Sequence, residues 1–171
     1  HHAPRIILLG FFRAASSLLE ELRLNRPALL ADLLVVDFNP HVFAELRRRG
    51  VRVTYGDITR RETLEHAGVP GAKILVCTLP NSILKGATNL KLLRQLRELN
   101  SEARIIMHAE SAEEAREFYA AGASYVCLVR LLEAAEISAA LEAASDNLLD
   151  EKRAAMIEKL LKAGADPKAP L

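Results

Sequence analysis

The sequence has no tryptophan, only two cysteines, and no apolar run near the ~18–20 residues that would span a bilayer. It is expected to be soluble. Neither charge sign dominates: 23 Lys and Arg stand against 22 Asp and Glu. That balance gives nucleic acid or an acidic membrane surface no electrostatic purchase. The basic cluster Arg47-Arg48-Arg49, with Arg52, Arg60 and Arg61, is interleaved with Glu45 and Glu62 and carries no aromatic platform, so a solvated face explains it and no nucleic acid partner is expected. Cys77 and Cys127 lie fifty residues apart within apolar stretches, without metal-ligand spacing. They are expected to be buried thiols in a reducing compartment. No G-x-S-x-G elbow, H-E-x-x-H pair or P-loop is present. Ser16 and Ser17 lack a nearby base, so catalysis has no constellation to run on and an enzyme is not expected. No signal peptide precedes the first apolar run. Residues 1–4 (His1-His2-Ala3-Pro4, without an initiator Met) read as a tag remnant and lead-in.

What is present is half apolar, over a length that suits one domain. Short apolar runs alternate with helical spacing. Strands are predicted at Arg5–Gly10, Leu33–Asp37, Val51–Tyr55, Lys73–Thr78, Arg104–His108 and Tyr125–Leu128. Helices are predicted at Phe12–Leu24 (Ala14, Ala15, Leu18, Leu19 and Leu22 inward), His41–Arg49, Arg60–Ala67 and Ser82–Leu99, with Asn100 as a cap. Further helices follow after the Ser111-x-x-Glu114 capping box, at Leu131–Ala144 and at Leu148–Leu161, with Gly164–Leu171 fraying. Six strand–helix repeats demand an α/β fold: a Rossmann-like, doubly wound, six-stranded parallel sheet. The expected boundaries are a domain over 5–145 and an amphipathic helical tail over 146–171.

Ligands in such sheets sit beyond the carboxyl ends of the strands. That places Gly10 to Ala15, Asp37-Phe38, Asp57, Thr78-Leu79 and His108 along one edge. Asp37, ending strand two, suits both hydroxyls of a ribose; it also suits a turn that caps the next helix. Asp57 could accept from an adenine amine or simply cap a turn. Arg13 and the helix amides at Arg13–Ala15 offer an anion site, or Arg13 is a solvated side chain. His108 meets a phosphate or is a satisfied, half-buried side chain. The first loop, Gly10-Phe11-Phe12-Arg13-Ala14-Ala15, departs from G-x-G-x-x-G. Its second glycine is Phe12, a bulky side chain where the backbone approaches a pyrophosphate, and its third is Ala15.

Gly10-x-x-Arg13, Asp37, the segment from Arg49 to Val69 (RGVRVTYGDITRRETLEHAGV), the segment from Asn89 to Ser111 (NLKLLRQLRELNSEARIIMHAES) and Ala121–Val126 together resemble the TrkA N-terminal domain. This family, also called RCK or KTN, includes the nucleotide-binding domains of potassium channels and Kef-type cation/proton antiporters. The resemblance spans about Arg5 to Ala144. It implies a cytoplasmic regulatory domain of a plasma-membrane transporter that gates potassium or cation/proton transport. It also implies a homodimer, and a membrane transport subunit or a transmembrane domain of the same chain as partner. The implied cofactor is an adenine nucleotide: AMP, ADP/ATP or NAD(H). Family contacts fall on Gly10, Phe12, Arg13, Ala14, Asp37, Phe38, Asp57, Thr78, Leu79 and His108. Two departures stand beside the match: Phe12, and the 26 residues after Ser145, too few for the small C-terminal lobe of many members. They leave open a decayed Rossmann scaffold that serves as a dimerisation module without nucleotide. An NAD-dependent oxidoreductase is the third reading, and it lacks room for a substrate domain.

Overall fold

Apolar runs of four or five residues, too short for helices and bounded by Gly, Asn-Pro or polar turns, become the inner strands of one parallel sheet. The computed structural model describes residues 4–84 and 86–163; the expected tag remnant at 1–3 and the fraying end at 164–171 lie outside the described residues. The strands are β1 (Ile6–Leu9), β2 (Leu33–Asp37), β3 (Arg52–Tyr55), β4 (Ile74–Cys77), β5 (Arg104–Ala109) and β6 (Tyr125–Leu128). The helices are α1 (Arg13–Asn25), α2 (Pro27–Ala31), α3 (Pro40–Arg48), α4 (Arg61–Ala67), α5 (Asn89–Leu99), α6 (Ala112–Ala120), α7 (Val129–Ser145) and α8 (Leu149–Ala163). The order across the sheet is β3-β2-β1-β4-β5-β6, all parallel, with Ile6 in register with both Leu33 and Ile74. This is the Rossmann-like, doubly wound order expected, and its switch point falls between β1 and β4.

Each sheet face carries its own core. On one, Ile7, Leu9, Val36, Leu75, Ile105 and Met107 pack with residues of α4, α5 and α6. On the other, Ile6, Leu8, Leu33 and Val35 pack with Ala15 of α1 and Leu46 of α3. The second face is covered unevenly. Ile74 and Val76 on β4, Ile106 and His108 on β5 and Cys127 on β6 are only half-buried there, and Tyr125 is exposed. The helix leaving β6 does not fold back to cover them: α7 has no buried residue along its 17 positions.

Two local expectations change. The helix predicted from Ser82 is a 3-10 turn at Asn81–Ile83, and α5 starts only at Asn89 behind the Thr88 cap, whose Oγ1 accepts from Lys91 N at 3.2 Å. Gly86, at φ +71°, breaks the run that periodicity had joined. Asn100 caps α5 as expected, its N–H donating to the Leu96 carbonyl, and its side chain fastens the following turn. Its Nδ2 donates to the Val69 and Ala72 carbonyls and its Oδ1 accepts from the amides of Glu102 and Ala103. Ala14, expected inward, is exposed. The capping box at Ser111 forms on one side, Glu114 N to Ser111 Oγ at 3.1 Å, while the Glu114 carboxylate reaches back to Glu110 N. The basic cluster, expected as a solvated face, carries ion pairs there. Glu45 accepts from Arg48 and Arg49, and its carboxyl is held down at about 2 by those two guanidiniums.

Gly10 is the most closely approached of the described glycines. Its φ is +84°, and a Cβ there would lie 2.2 Å from Cδ1 of Leu79, itself buried. Both the backbone conformation and the space require glycine. Gly10→Ala is expected to destabilise the domain by about 1–3 kcal/mol, read from urea unfolding; an unchanged midpoint would contradict the close approach of β1 and the Leu79 segment.

Candidate functional site at the switch point

Four strand ends converge on one cavity of about 380 Å³, within the range of small-molecule sites. The turn after β1 contributes Gly10, Phe11 and Phe12, and the turn after β2 contributes Asp37, Phe38 and Asn39. Asp57 and Ile58 follow β3, and Leu79, Ile83 and Leu84 follow β4.

Asp37 sits at the centre of this arrangement and is only 6% exposed. Its Oδ1 accepts from Phe11 N at 3.0 Å and its Oδ2 from Asn39 N at 3.0 Å. Burial pushes the carboxyl above its ordinary range, and the amides of Asn39 and Phe11 pull against that shift. The two sequence readings of Asp37 therefore separate. The cap of α3 is Asn39, whose Oδ1 accepts from His41 N at 2.9 Å, with Pro40 in the first helical position. Asp37 ties the end of β2 to the first loop, and each oxygen keeps acceptor capacity toward the cavity.

Asp57 is half-exposed, and its Oδ1 accepts from Thr59 N at 2.9 Å and Thr59 Oγ1 at 2.7 Å. It builds the turn that leads to α4 while facing the cavity. Gly56 before it has no room for a side chain, since a Cβ would meet Thr63 Cγ2 at 2.5 Å. Phe38 is 55% exposed at the mouth.

Phe12 lines the same cavity and packs on the core cluster below it. The Arg13 guanidinium lies 5.3 Å from the centre of its ring. No side chain caps α1 and no acid occupies its first turn. Among the predicted site residues, Gly10, Phe12, Asp37, Phe38, Asp57 and Leu79 come together. Arg13, Ala14, Thr78 and His108 do not line the cavity. His108 Nε2 lies 3.1 Å from the Leu79 carbonyl, which also accepts from Asn89 Nδ2 at 2.6 Å. It is a satisfied, half-buried side chain rather than an open contact. Sequence reading passed over Asn39, Ile58, Ile83 and Leu84. Asn39-Pro40 carried a legible signal, a helix cap followed by a first-turn proline; the apolar three did not. Among the described residues, no cluster of three His, Cys, Asp or Glu could hold a metal, and no helix is long and apolar enough to cross a membrane.

The TrkA-N domain family model matches residues 6–129. The chain belongs to this family. The glutathione-regulated potassium-efflux system protein KefC of Escherichia coli O157:H7 is 31% identical over 128 residues, 73% of this chain and 17% of that protein. The chain thus spans about a sixth of the length of the curated relatives it matches. Among solved structures, the TrkA-N domain of the inner membrane protein ybaL from Escherichia coli superposes with a TM-score of 0.70 at 26% identity, covering 82% of this chain and 98% of that one. The Kef CTD of Shewanella denitrificans in AMP-bound form shares the fold at a TM-score of 0.53 and 20% identity, covering 92% of this chain and 98% of that one. The curated relatives are thus potassium-efflux system proteins, of which the matched region is one part.

Replacing Asp37 with Ala strands the buried Phe11 amide and is expected to cost roughly 1–3 kcal/mol. Because the folded carboxyl titrates above its unfolded value, the folded state takes up the proton first as pH falls. The Asp37 contribution therefore grows from neutral pH toward the unfolded pKa. Chemical denaturation of wild type and Asp37→Ala at two pH values checks both signs; a gap that narrows on acidification would contradict the burial-driven shift.

Proposed function

We propose that this chain is a cytoplasmic regulatory domain that binds an adenine nucleotide at the switch point and gates potassium or cation/proton transport by a membrane partner. That partner is a transmembrane domain of the same chain or a separate subunit. The observation that carries the reading is the convergence of Asp37, Asp57 and Gly10 on one cavity in a TrkA-N domain. Asp37 offers acceptors to the ribose hydroxyls. Asp57 offers one to the exocyclic amine of adenine, and the apolar walls take the base. The AMP-bound form of the Shewanella Kef CTD supports the ligand class, and the KefC match supports the transport role. The regulatory role rests on the match to a potassium-efflux system protein. The ligand is AMP, ADP/ATP or NAD(H). Thermal shift and calorimetry with each are expected to show binding by at least one, weakened about fivefold or more by Asp57→Ala; no heat and no shift with any of them would overturn the nucleotide reading.

The domain works as a homodimer. Leu131, Leu132, Ile137 and Leu141 of α7 are each more than half exposed, an apolar surface of the kind that partner contacts cover. The part-covered sheet face at Ile74, Val76 and Ile106 supplies a matching apolar surface. Light scattering is expected to give a dimer mass, lost in Ile137→Asp without loss of helical content; a monomeric wild type at high concentration contradicts it. The same exposed helix favours the second reading, an assembly scaffold that has lost its nucleotide, and the calorimetry separates the two.

A further inference from the structure

The chemistry of the cavity lining is lopsided. Among the described residues it holds two carboxylates, Asp37 and Asp57, and no Lys, Arg or His; Arg60 stands outside the lining, 3.9 Å from Asp57 Oδ2. A phosphate inside the cavity would meet the like charges of its two carboxylates. The nearest cation along the first loop is Arg13, which is exposed and stacked on the Phe12 ring.

Phe12 occupies the second position of the phosphate turn. In dinucleotide sites a glycine there lets a pyrophosphate lie against the backbone. Here that position carries a ring that is half-buried, packed against the core and forming part of the cavity wall. The ring is anchored from below by the core and from above by Arg13. The amides that open α1 remain without a side-chain cap, so an anion can still reach them from the rim. A bridging diphosphate, which has to run along residues 10–12 between its two nucleosides, meets the Phe12 side chain.

We propose that Phe12 and Arg13 set the ligand class of this pocket to a nucleoside monophosphate, with base and sugar in the cavity and one phosphate at the rim against Arg13, and that Phe12 shuts out dinucleotides. This rests on the pocket being a nucleotide site and narrows its ligand. Phe12 is then a selectivity residue and Arg13 a single-phosphate contact.

The test is calorimetry on the whole chain with adenosine, AMP and NAD, for wild type, Phe12→Gly, Phe12→Ala and Arg13→Gln, each first checked by thermal melting. Wild type is expected to bind AMP about tenfold or more tighter than NAD. Phe12→Gly is expected to strengthen NAD binding about tenfold and to leave AMP within about threefold. Phe12→Ala, which keeps the backbone restrained, gives an intermediate gain and serves if the glycine variant melts early. Arg13→Gln is expected to weaken AMP about fivefold and leave adenosine unchanged. Equal affinity of wild type for AMP and NAD, or equal shifts of both in Phe12→Gly, overturns the gate while leaving the nucleotide site standing. Failure of all three ligands to bind either wild type or Phe12→Gly removes the nucleotide site and the gate with it.

Discussion

The pair of hydrogen bonds from the Phe11 and Asn39 amides to the Asp37 carboxylate holds the site together. A carboxylate that is only 6% exposed would be costly alone. Two backbone donors, one from each adjoining loop, offset that cost and in return fix where both loops stand. The first loop then has to turn at Gly10, hard against Leu79, so the ends of β1, β2 and β4 are set by one bonded group and one steric contact. The cavity between them is a consequence of that tie. An acid selected only to cap α3 would not be needed, because Asn39 already does it.

The centre of the sheet was legible because β1, β2 and β4 are apolar runs, the first two closed by Gly10 and Asn39-Pro40. The parallel order follows from six strand–helix alternations and right-handed crossovers. Asp37 and Asp57 were legible as well, since strand-end carboxylates stand out from an apolar background. Their neighbours were not. Ile58, Ile83 and Leu84 read as ordinary core residues, and only the three-dimensional convergence of the loops makes them cavity walls. The β4–α5 segment misled periodicity for a physical reason: Leu84, Leu92 and Leu96 all pack inward, so helical spacing continues across a break that Gly86 and the Thr88 cap introduce in the backbone. Asn89 fastens that break, with its side chain on the Leu79 carbonyl and on Asn81. Asn100 does the same where α5 runs into β5.

Burial patterns also show where the single chain is incomplete. The face of the sheet covered by α1 and α3 is close-packed over β1 and β2. It thins out over β5 and β6, where the chain sends α7 away from the sheet. A doubly wound fold read from sequence assumes each helix returns to its own sheet. Composition cannot tell a returning helix from a departing one, because both are apolar. α7 departs, and α8 packs beside it with Lys152 reaching Glu136 at 3.3 Å.

Cavity and uncovered face lie in opposite halves of the sheet. Cavity contacts come from the ends of β1 to β4, and the uncovered apolar area lies over β4 to β6 and along α7. The two halves meet at the Leu79 carbonyl, shared by Asn89 and His108. His108 stands in register with Cys127 on β6, one strand from where α7 begins. A ligand alters assembly only through a difference in its contacts between two states. The β4–α5 segment is a cavity wall bonded to β5 through the Leu79 carbonyl and His108, so a difference there would reach the other half directly. The walls from β1 to β3 are tied to one another through Asp37 and through the Gly56 amide on the Asp37 carbonyl.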